Sequence, residues 1–262
     1  MENKLRAATF NIGGYEIEDR VEALKKSIGE MITCGHIELF GFNEWPSKSL
    51  RLLTNVKGSQ FKALWGEKAH NFYNPIFYGP TLEPIDWQGF VLHTREQFED
   101  ASADRTATWA KMRVKKSGFE FGYLNAHLDN KSDEAKQHSV RKLLGFVDKQ
   151  PHDLPIIMAG DFNMNIARVA LNMTGPTMHR LILAAGFVDC LAAGNAAAPA
   201  RRRPRTIMHH QGSMHCGEDK AETYDLDVFY IRHLTHWLCT VNEKPFGVYP
   251  SDHAAVMELM KY

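Results

Sequence analysis

Ile156-Ile157-Met158-Ala159-Gly160-Asp161-Phe162-Asn163 is the stretch on which the fold turns. Pro151 and Pro155 close the preceding segment, and the apolar run from Ile156 to Ala159 reads as a buried strand. Its exit carries Asp161 and Asn163, two residues apart. On an extended backbone both side chains point to one side while Phe162 turns into the core, so the strand end offers two polar groups to one ligand.

Working outward, the same arrangement recurs. Leu5 to Ile12 is strand-like with Asn11 at its exit, and Ile37 to Phe42 stops at Asn43 and Glu44. Phe61 to Trp65, Pro75 to Tyr78, Phe90 to Leu92, Ala107 to Val114 and Phe119 to Ala126 read as further strands, the last leading into Asn125 and His127. Leu226 to Ile231 carries Asp227, and Ala254 to Met260 follows Asp252 and His253; Trp237 to Val241 completes the strands. Apolar spacing near 3.6 residues predicts helices over Val21 to Ile32, Ser132 to Lys149 and Thr177 to Ala185, with Ser132 an N-cap and Gly186 a C-cap. Residues 193 to 222, rich in Ala, Arg, His and Gly without a period, read as a long surface loop.

Composition narrows the function. The 262 residues, 44% hydrophobic, suit one α/β domain spanning 1–262 with a substantial core. Lys plus Arg and Asp plus Glu balance at 31 each, which removes any global field toward nucleic acid or anionic membranes and leaves polyanion binding to a local patch. No stretch approaches a membrane span or a signal peptide, so a cytoplasmic or otherwise intracellular, monomeric protein is expected. Cys34, Cys190, Cys216 and Cys239 show no paired motif and read as free thiols.

The exit residues fit phosphoester chemistry. A hard divalent cation such as Mg²⁺ takes oxygen ligands, for which Glu44 and Asp252 suit, and hydrolysis further needs an oriented water and charge stabilisation on phosphoryl oxygens. Singly, each group has a plainer reading: Asp161 and Asn163 as turn formers, Asp252-His253 as a cap, His127 as a structural histidine. His209, His210, His215 and Cys216 resemble zinc ligands without a paired motif, and the Arg201-Arg202-Arg203-Pro204-Arg205 run reads as a solvated loop or a phosphate grip. Trp45, Phe72, Tyr73 and Trp87 suit either base stacking or the core.

In order along the chain stand Thr9-Phe10-Asn11-Ile12, Asn43-Glu44, Arg105-Thr106-Ala107-Thr108, Asn125-Ala126-His127-Leu128-Asp129, Gly160-Asp161-Phe162-Asn163, Asp225-Leu226-Asp227 and Ser251-Asp252-His253. With these blocks the chain resembles the endonuclease/exonuclease/phosphatase superfamily of DNase I-like metal-dependent phosphoesterases. The resemblance implies a four-layer α/β/β/α sandwich of two mixed sheets with flanking helices and a site at one end. It implies Glu44 as principal ligand of Mg²⁺ (or Mn²⁺), with Asn11 and Asp252 beside it. It further implies His253 oriented by Asp227 on the scissile phosphate, Asp161 positioning or deprotonating the attacking water, and Asn163 holding that water or a phosphoryl oxygen. His127 would stand near the leaving group, Arg105 near the phosphate and Asn125 with the substrate. Asn43 replaces the Gln frequent before the metal-binding Glu, and Gly13 replaces an acidic residue of some abasic-site endonucleases, which makes that repair activity a poorer fit. The expected activity is a phosphodiesterase of nuclease type; a sugar or inositol phosphate phosphatase and a silent binding module are the alternatives.

Overall fold

Period-two burial on both faces of the strands generates the layers. The computed structural model describes residues 3–14, 20–46, 60–68, 72–164, 174–196, 207–208, 223–224, 226–242, 251, 253 and 255–262. The first part of the chain forms β1 (Lys4–Asn11), α1 (Val21–Thr33), β2 (Leu39–Asn43), β3 (Trp45–Pro46), β4 (Lys62–Leu64), β5 (Phe72–Tyr73) and β6 (Ile76–Tyr78). Next come β7 (Leu82–His93), β8 (Arg105–Val114), β9 (Glu120–His127), α2 (Asp133–Val147), β10 (Ile156–Asp161), α3 (Thr174–Ala184), β11 (Val188–Asp189) and α4 (Cys190–Ala196). The short strands β12 (Ile207–Met208) and β13 (Thr223–Tyr224) precede β14 (Asp227–Arg232), β15 (Thr235–Asn242) and β16 (Ala255–Lys261).

Two six-stranded sheets result, ordered β15-β16-β1-β2-β6-β4 and β11-β14-β10-β9-β8-β7. Each is mixed: β1 with β2 and β9 with β10 run parallel, and the other ladders run antiparallel. Alternate residues divide cleanly between layers. Leu5 and Ala7 of β1, Tyr123 of β9, Ile157 and Ala159 of β10, and Phe229 and Ile231 of β14 fill the space between the sheets. Ala8 and Phe10 of β1 face outward onto Leu24, Ile28 and Met31 of α1. On the opposite outer face Leu124, Met158 and Tyr230 meet Val140, Leu143 and Val147 of α2 and Met178 and Ile182 of α3. The outcome is the expected α/β/β/α sandwich, each buried aliphatic side chain contributing about 2 kcal/mol of apolar burial.

Local signals held where they were chemical. Ser132 Oγ accepts the Ala135 N–H at 3.2 Å as N-cap of α2, and Gly186 stands at φ 84° just beyond α3. Other expectations need correction. β7 runs from Leu82 rather than Phe90: it is an edge strand whose polar and proline residues break the apolar pattern, with a bulge between Pro84 and Asp86. The segment read as one loop over 193–222 includes the end of α4 and the strand β12, which pairs with β13. Asp189 Oδ1 starts α4 by accepting the N–H groups of Leu191 and Ala192. Trp45 lies in the core against Phe42 and Phe77, and Tyr73 stacks edge-on to Trp65, whereas Trp87 is 49% exposed. Arg201 to Arg205, His209, His210, His215 and Cys216 lie outside the described residues; Cys34, Cys190 and Cys239 form no disulfide. Among the described residues no helix is long and apolar enough to cross a membrane.

Candidate active site

The inward parity of the strands runs on past the apolar core and, at one end, turns polar. Leu5, Ala7 and Thr9 lead to Asn11 on β1; Leu39 and Gly41 lead to Asn43 on β2; Ile157 and Ala159 lead to Asp161 on β10. Register then makes rows. Asn11 pairs with Asn43 across β1 and β2, while Asp161 is flanked by His127 on β9 and by Asp227 on β14. Side chains directly opposite on neighbouring strands lie about 5 Å apart, so these rows put five polar groups at one end of the space between the sheets.

The two rows are tied together. Asn11 Nδ2 donates to Asp161 Oδ2 at 2.9 Å and to Glu44 Oε1 at 3.1 Å, and Asn43 Oδ1 accepts the Asp161 N–H at 2.9 Å. Asn43 Nδ2 in turn faces Asn74 Oδ1, Asn125 Oδ1 and the Ala126 carbonyl, at 3.2 to 3.3 Å. Asn125 is wholly buried and donates to the carbonyls of Phe42 and Pro75 at 2.8 and 3.1 Å. Its amide therefore joins the two sheets behind the cluster instead of facing an incoming ligand. Asn43, noted in the sequence only as a departure from Gln, proves to be the central joint, a role that depends on tertiary contacts and left no local signal.

Backbone geometry aims the remaining groups. Glu44 has φ 57° and Asn163 φ 49°, left-handed conformations that are uncommon outside glycine and concentrate at functional sites. Glu44 Oε2 accepts the Gly14 N–H at 3.2 Å, and Asn163 Nδ2 donates to the Leu128 carbonyl at 3.0 Å. Asp161 Oδ1 accepts the Asn163 N–H at 2.9 Å. Gly160 sits at φ 137°, where a Cβ would stand 1.9 Å from the Ala126 carbonyl oxygen. Gly160→Ala is accordingly expected to cost about 3 kcal/mol or more, or to prevent folding, as a drop in the urea midpoint.

The imidazoles differ in their ties. His253 Nδ1 lies 2.8 Å from Asp227 Oδ2, and its Nε2 faces Asp161 Oδ2 at 3.7 Å. Ser251 Oγ donates to the Asn11 carbonyl and accepts the His253 N–H, fixing the turn that delivers this histidine. Asp252 lies outside the described residues. His127 Nε2 is 3.6 Å from Asp161 Oδ2 and 4.0 Å from Glu44 Oε1, with Arg105 Nη1 against its ring at 3.0 and 3.1 Å from the two nitrogens. Burial, then the charges of Arg105 and His253, push the His127 pKa well below the usual histidine value, so the ring is neutral. Burial raises the Asp161 pKa, reinforced by Asp227 and opposed by His253 and the Asn11 hydrogen bond. A buried carboxylate with a raised pKa is a better proton acceptor than an exposed one.

Asp129, the last residue of the Asn125–Asp129 block, anchors the outer wall. It accepts Ser102 Oγ at 2.6 Å and the N–H groups of Ser102, Lys131 and Ser132, and it lies 3.9 Å from Arg105 Nε. Its burial works against ionisation, but the Ser102, Ser132 and Lys131 hydrogen bonds and the Arg105 charge outweigh it and hold the pKa below the usual value. Behind it His93 is completely buried, Nδ1 2.8 Å from Ser139 Oγ. Burial foremost lowers the His93 pKa below 6.5, against the pull of Asp129. The folded protein thus binds fewer protons than the unfolded chain below that pH. The His93 contribution is intact above the unfolded pKa and is lost as pH falls toward the folded one. Between about pH 7 and about pH 5 the urea midpoint should fall less in His93→Gln than in the native chain.

The donor set suits a hard cation. Oxygens of Glu44 and Asp161 converge on one Asn11 amide, and the adjoining His127 ring is neutral and adds no compensating charge. Asp161, Asp227 and His253 also bring ligand atoms within 4.8 Å of one another.

No family model matches the sequence, and no curated protein matches it. Solved structures do match in fold. An endonuclease/exonuclease/phosphatase from Bacteroides vulgatus superposes with TM-score 0.78 at 20% identity, covering 99% of each chain. A mannosyl-6-phosphatase from Bacteroides thetaiotaomicron gives TM-score 0.77 at 17% identity over 98% of this chain and 100% of that one. TDP2 from D. rerio, in complex with a single-strand DNA product, gives TM-score 0.76 at 16% identity over 99% of each.

Proposed function

We propose that this protein, which carries the endonuclease/exonuclease/phosphatase fold, is a divalent-metal-dependent phosphoesterase that hydrolyses phosphodiester bonds, with nucleic acid as substrate. The observation that carries the reading is the row His127, Asp161, Asp227 in register on one sheet, facing Asn11 on the other and Glu44 just past the end of β2. Glu44, Asn11 and Asp252 would hold a Mg²⁺ or Mn²⁺ ion, which would supply Lewis-acid stabilisation of charge on the phosphoryl oxygens.

The chain's own groups divide the remaining work. Asp161 orients the attacking water and takes its proton as the new phosphorus–oxygen bond forms and the bond to the leaving oxygen breaks. Asn163, held in the left-handed region beside it, fixes the same water or a phosphoryl oxygen. His253 presents Nε2 to a phosphoryl oxygen because Asp227 occupies its Nδ1. Neutral His127 hydrogen-bonds the leaving oxygen, and Arg105, braced by Asp129, meets phosphate charge from the side. Asn125 and Asn43 position these groups by joining the sheets.

Asp227→Asn should test the pairing. It leaves the shape and removes the charged acceptor, so kcat is expected to fall about a hundredfold or more with KM little changed. An unchanged kcat would remove Asp227 from the scheme.

A phosphatase of a small phosphorylated molecule is the second reading. It is favoured by the balanced charge, 31 basic against 31 acidic residues, which gives no general attraction for a polyanion, and by the mannosyl-6-phosphatase neighbour. Turnover of bis-p-nitrophenyl phosphate, p-nitrophenyl phosphate, a hexose phosphate and a labelled oligonucleotide, each with Mg²⁺ or Mn²⁺, separates the two. Cleavage of the diester and the oligonucleotide in preference to both monoesters supports the nuclease. Preference for the monoesters transfers the proposal to the phosphatase.

A further inference from the structure

A second group of ligating side chains lies away from the strand exits, at the β15 edge of the space between the sheets. Cys190, the first residue of α4, His236 of β15 and Glu258 of β16 bring ligand atoms within 4.8 Å of one another. Glu258 is 1% exposed amid an apolar core that includes Val256, Met260 and Leu191. Its Oε1 lies 2.7 Å from His236 Nδ1, Oε2 has no partner within hydrogen-bond distance, and the thiols of Cys190 and Cys239 and the Trp237 backbone N–H stand beside the carboxylate.

The backbone is built to make this cluster. Residues three apart on a regular strand face opposite sides, so His236 and Cys239 would not share a face. A bulge between His236 and Leu238 resets the alternation: His236 pairs with Met260 and Cys239 pairs with Glu258, which puts both on the inward face. The bulge leaves Trp237 outside, 41% exposed between the Lys4 and Lys261 ammonium groups. Asp189 caps α4 and thereby fixes Cys190 from the other sheet's side.

We propose that Cys190, Cys239, His236 and Glu258 form a binding site for Zn²⁺ that clamps α4 to the β15–β16 edge. Two thiolates, an imidazole and a carboxylate are the donor types this borderline-soft ion takes in closed tetrahedral sites. Bond lengths near 2.0 to 2.3 Å put such ligands roughly 3.5 Å apart; Cys190, His236 and Glu258 already lie within 4.8 Å of one another, and Cys239, opposite Glu258 on β15, is the fourth ligand. Binding displaces the thiol protons and the proton shared by Glu258 and His236 into solvent, with no redox change.

The test is Co²⁺ substitution of the full chain after dialysis against a chelator. The site predicts a thiolate-to-cobalt charge-transfer band that saturates at one equivalent and is bleached by Zn²⁺. The band should lose about half or more of its intensity in Cys190→Ser, disappear when Cys190 and Cys239 are both replaced by Ser, weaken in Glu258→Gln, and persist in Cys34→Ser, Cys216→Ser and Glu44→Gln. No thiolate band, or a band lost with Cys216 and undiminished without Cys190, overturns the site. Should Cys190→Ser fail to fold, alkylation of Cys239 in the native chain decides. Protection by Zn²⁺ of about tenfold or more supports the site, and an unchanged rate overturns it.

Discussion

Asp161→Asn is expected to lower turnover by about a thousandfold or more while the urea midpoint changes little. The two halves of this result have one cause. Asp161 is 2% exposed, and burial raises its pKa, so keeping it ionised costs stability. Asn retains an oxygen for the Asn163 N–H and removes the buried charge, a relief that offsets the lost Asn11 Nδ2 hydrogen bond to Oδ2, and it removes the group that accepts the water's proton. A structural Asp would behave in the opposite way, losing stability on replacement. An Asp161→Asn variant that keeps its rate, or one that unfolds while retaining residual activity in proportion to the folded fraction, would remove Asp161 from catalysis.

Glu44→Gln is expected to lower turnover by about a hundredfold to ten-thousandfold at low Mg²⁺ and to regain part of it at high Mg²⁺. Glu44 binds Asn11 and Gly14 through one oxygen each and holds a left-handed backbone that glycine would adopt more readily. Gln preserves the side-chain shape and one accepted hydrogen bond, so folding should be nearly unaffected. What it lacks is the negative charge. Recovery with metal separates weakened cation binding from lost chemistry: an apparent metal affinity identical to the native chain's would contradict the role given to Glu44.

Much of this site was legible because strand periodicity and polar exits are local properties. The apolar run before Asp161 predicted a buried strand, and the spacing of Asp161 and Asn163 predicted polar groups at its mouth; β10 ends at Asp161, and both residues meet there. Asn11, Glu44, His127, Asp227 and His253 were read in the same way, and the folded chain brings them together. The joints were hidden because their partners come from distant strands. Asn43 touches Asn74, Asn125 and Asp161, and nothing near it in sequence announces those contacts. Asn125 shows the converse: a polar residue near a strand exit reads as a ligand contact, while its buried amide donates to the carbonyls of Phe42 and Pro75. The bulges of β7 and β15 escaped for a similar reason, since an extra residue shifts which side chains share a face without changing composition.

Hydrolysis of bis-p-nitrophenyl phosphate by the native chain, dialysed free of metal and then supplied with Mg²⁺, decides whether this is a metal-dependent phosphoesterase that uses Asp161. Turnover should not exceed background in EDTA, should rise and saturate with added Mg²⁺, and should not be restored to Asp161→Asn at any Mg²⁺ concentration. Full activity in EDTA, or an Asp161→Asn variant that Mg²⁺ restores to the native rate, would contradict it.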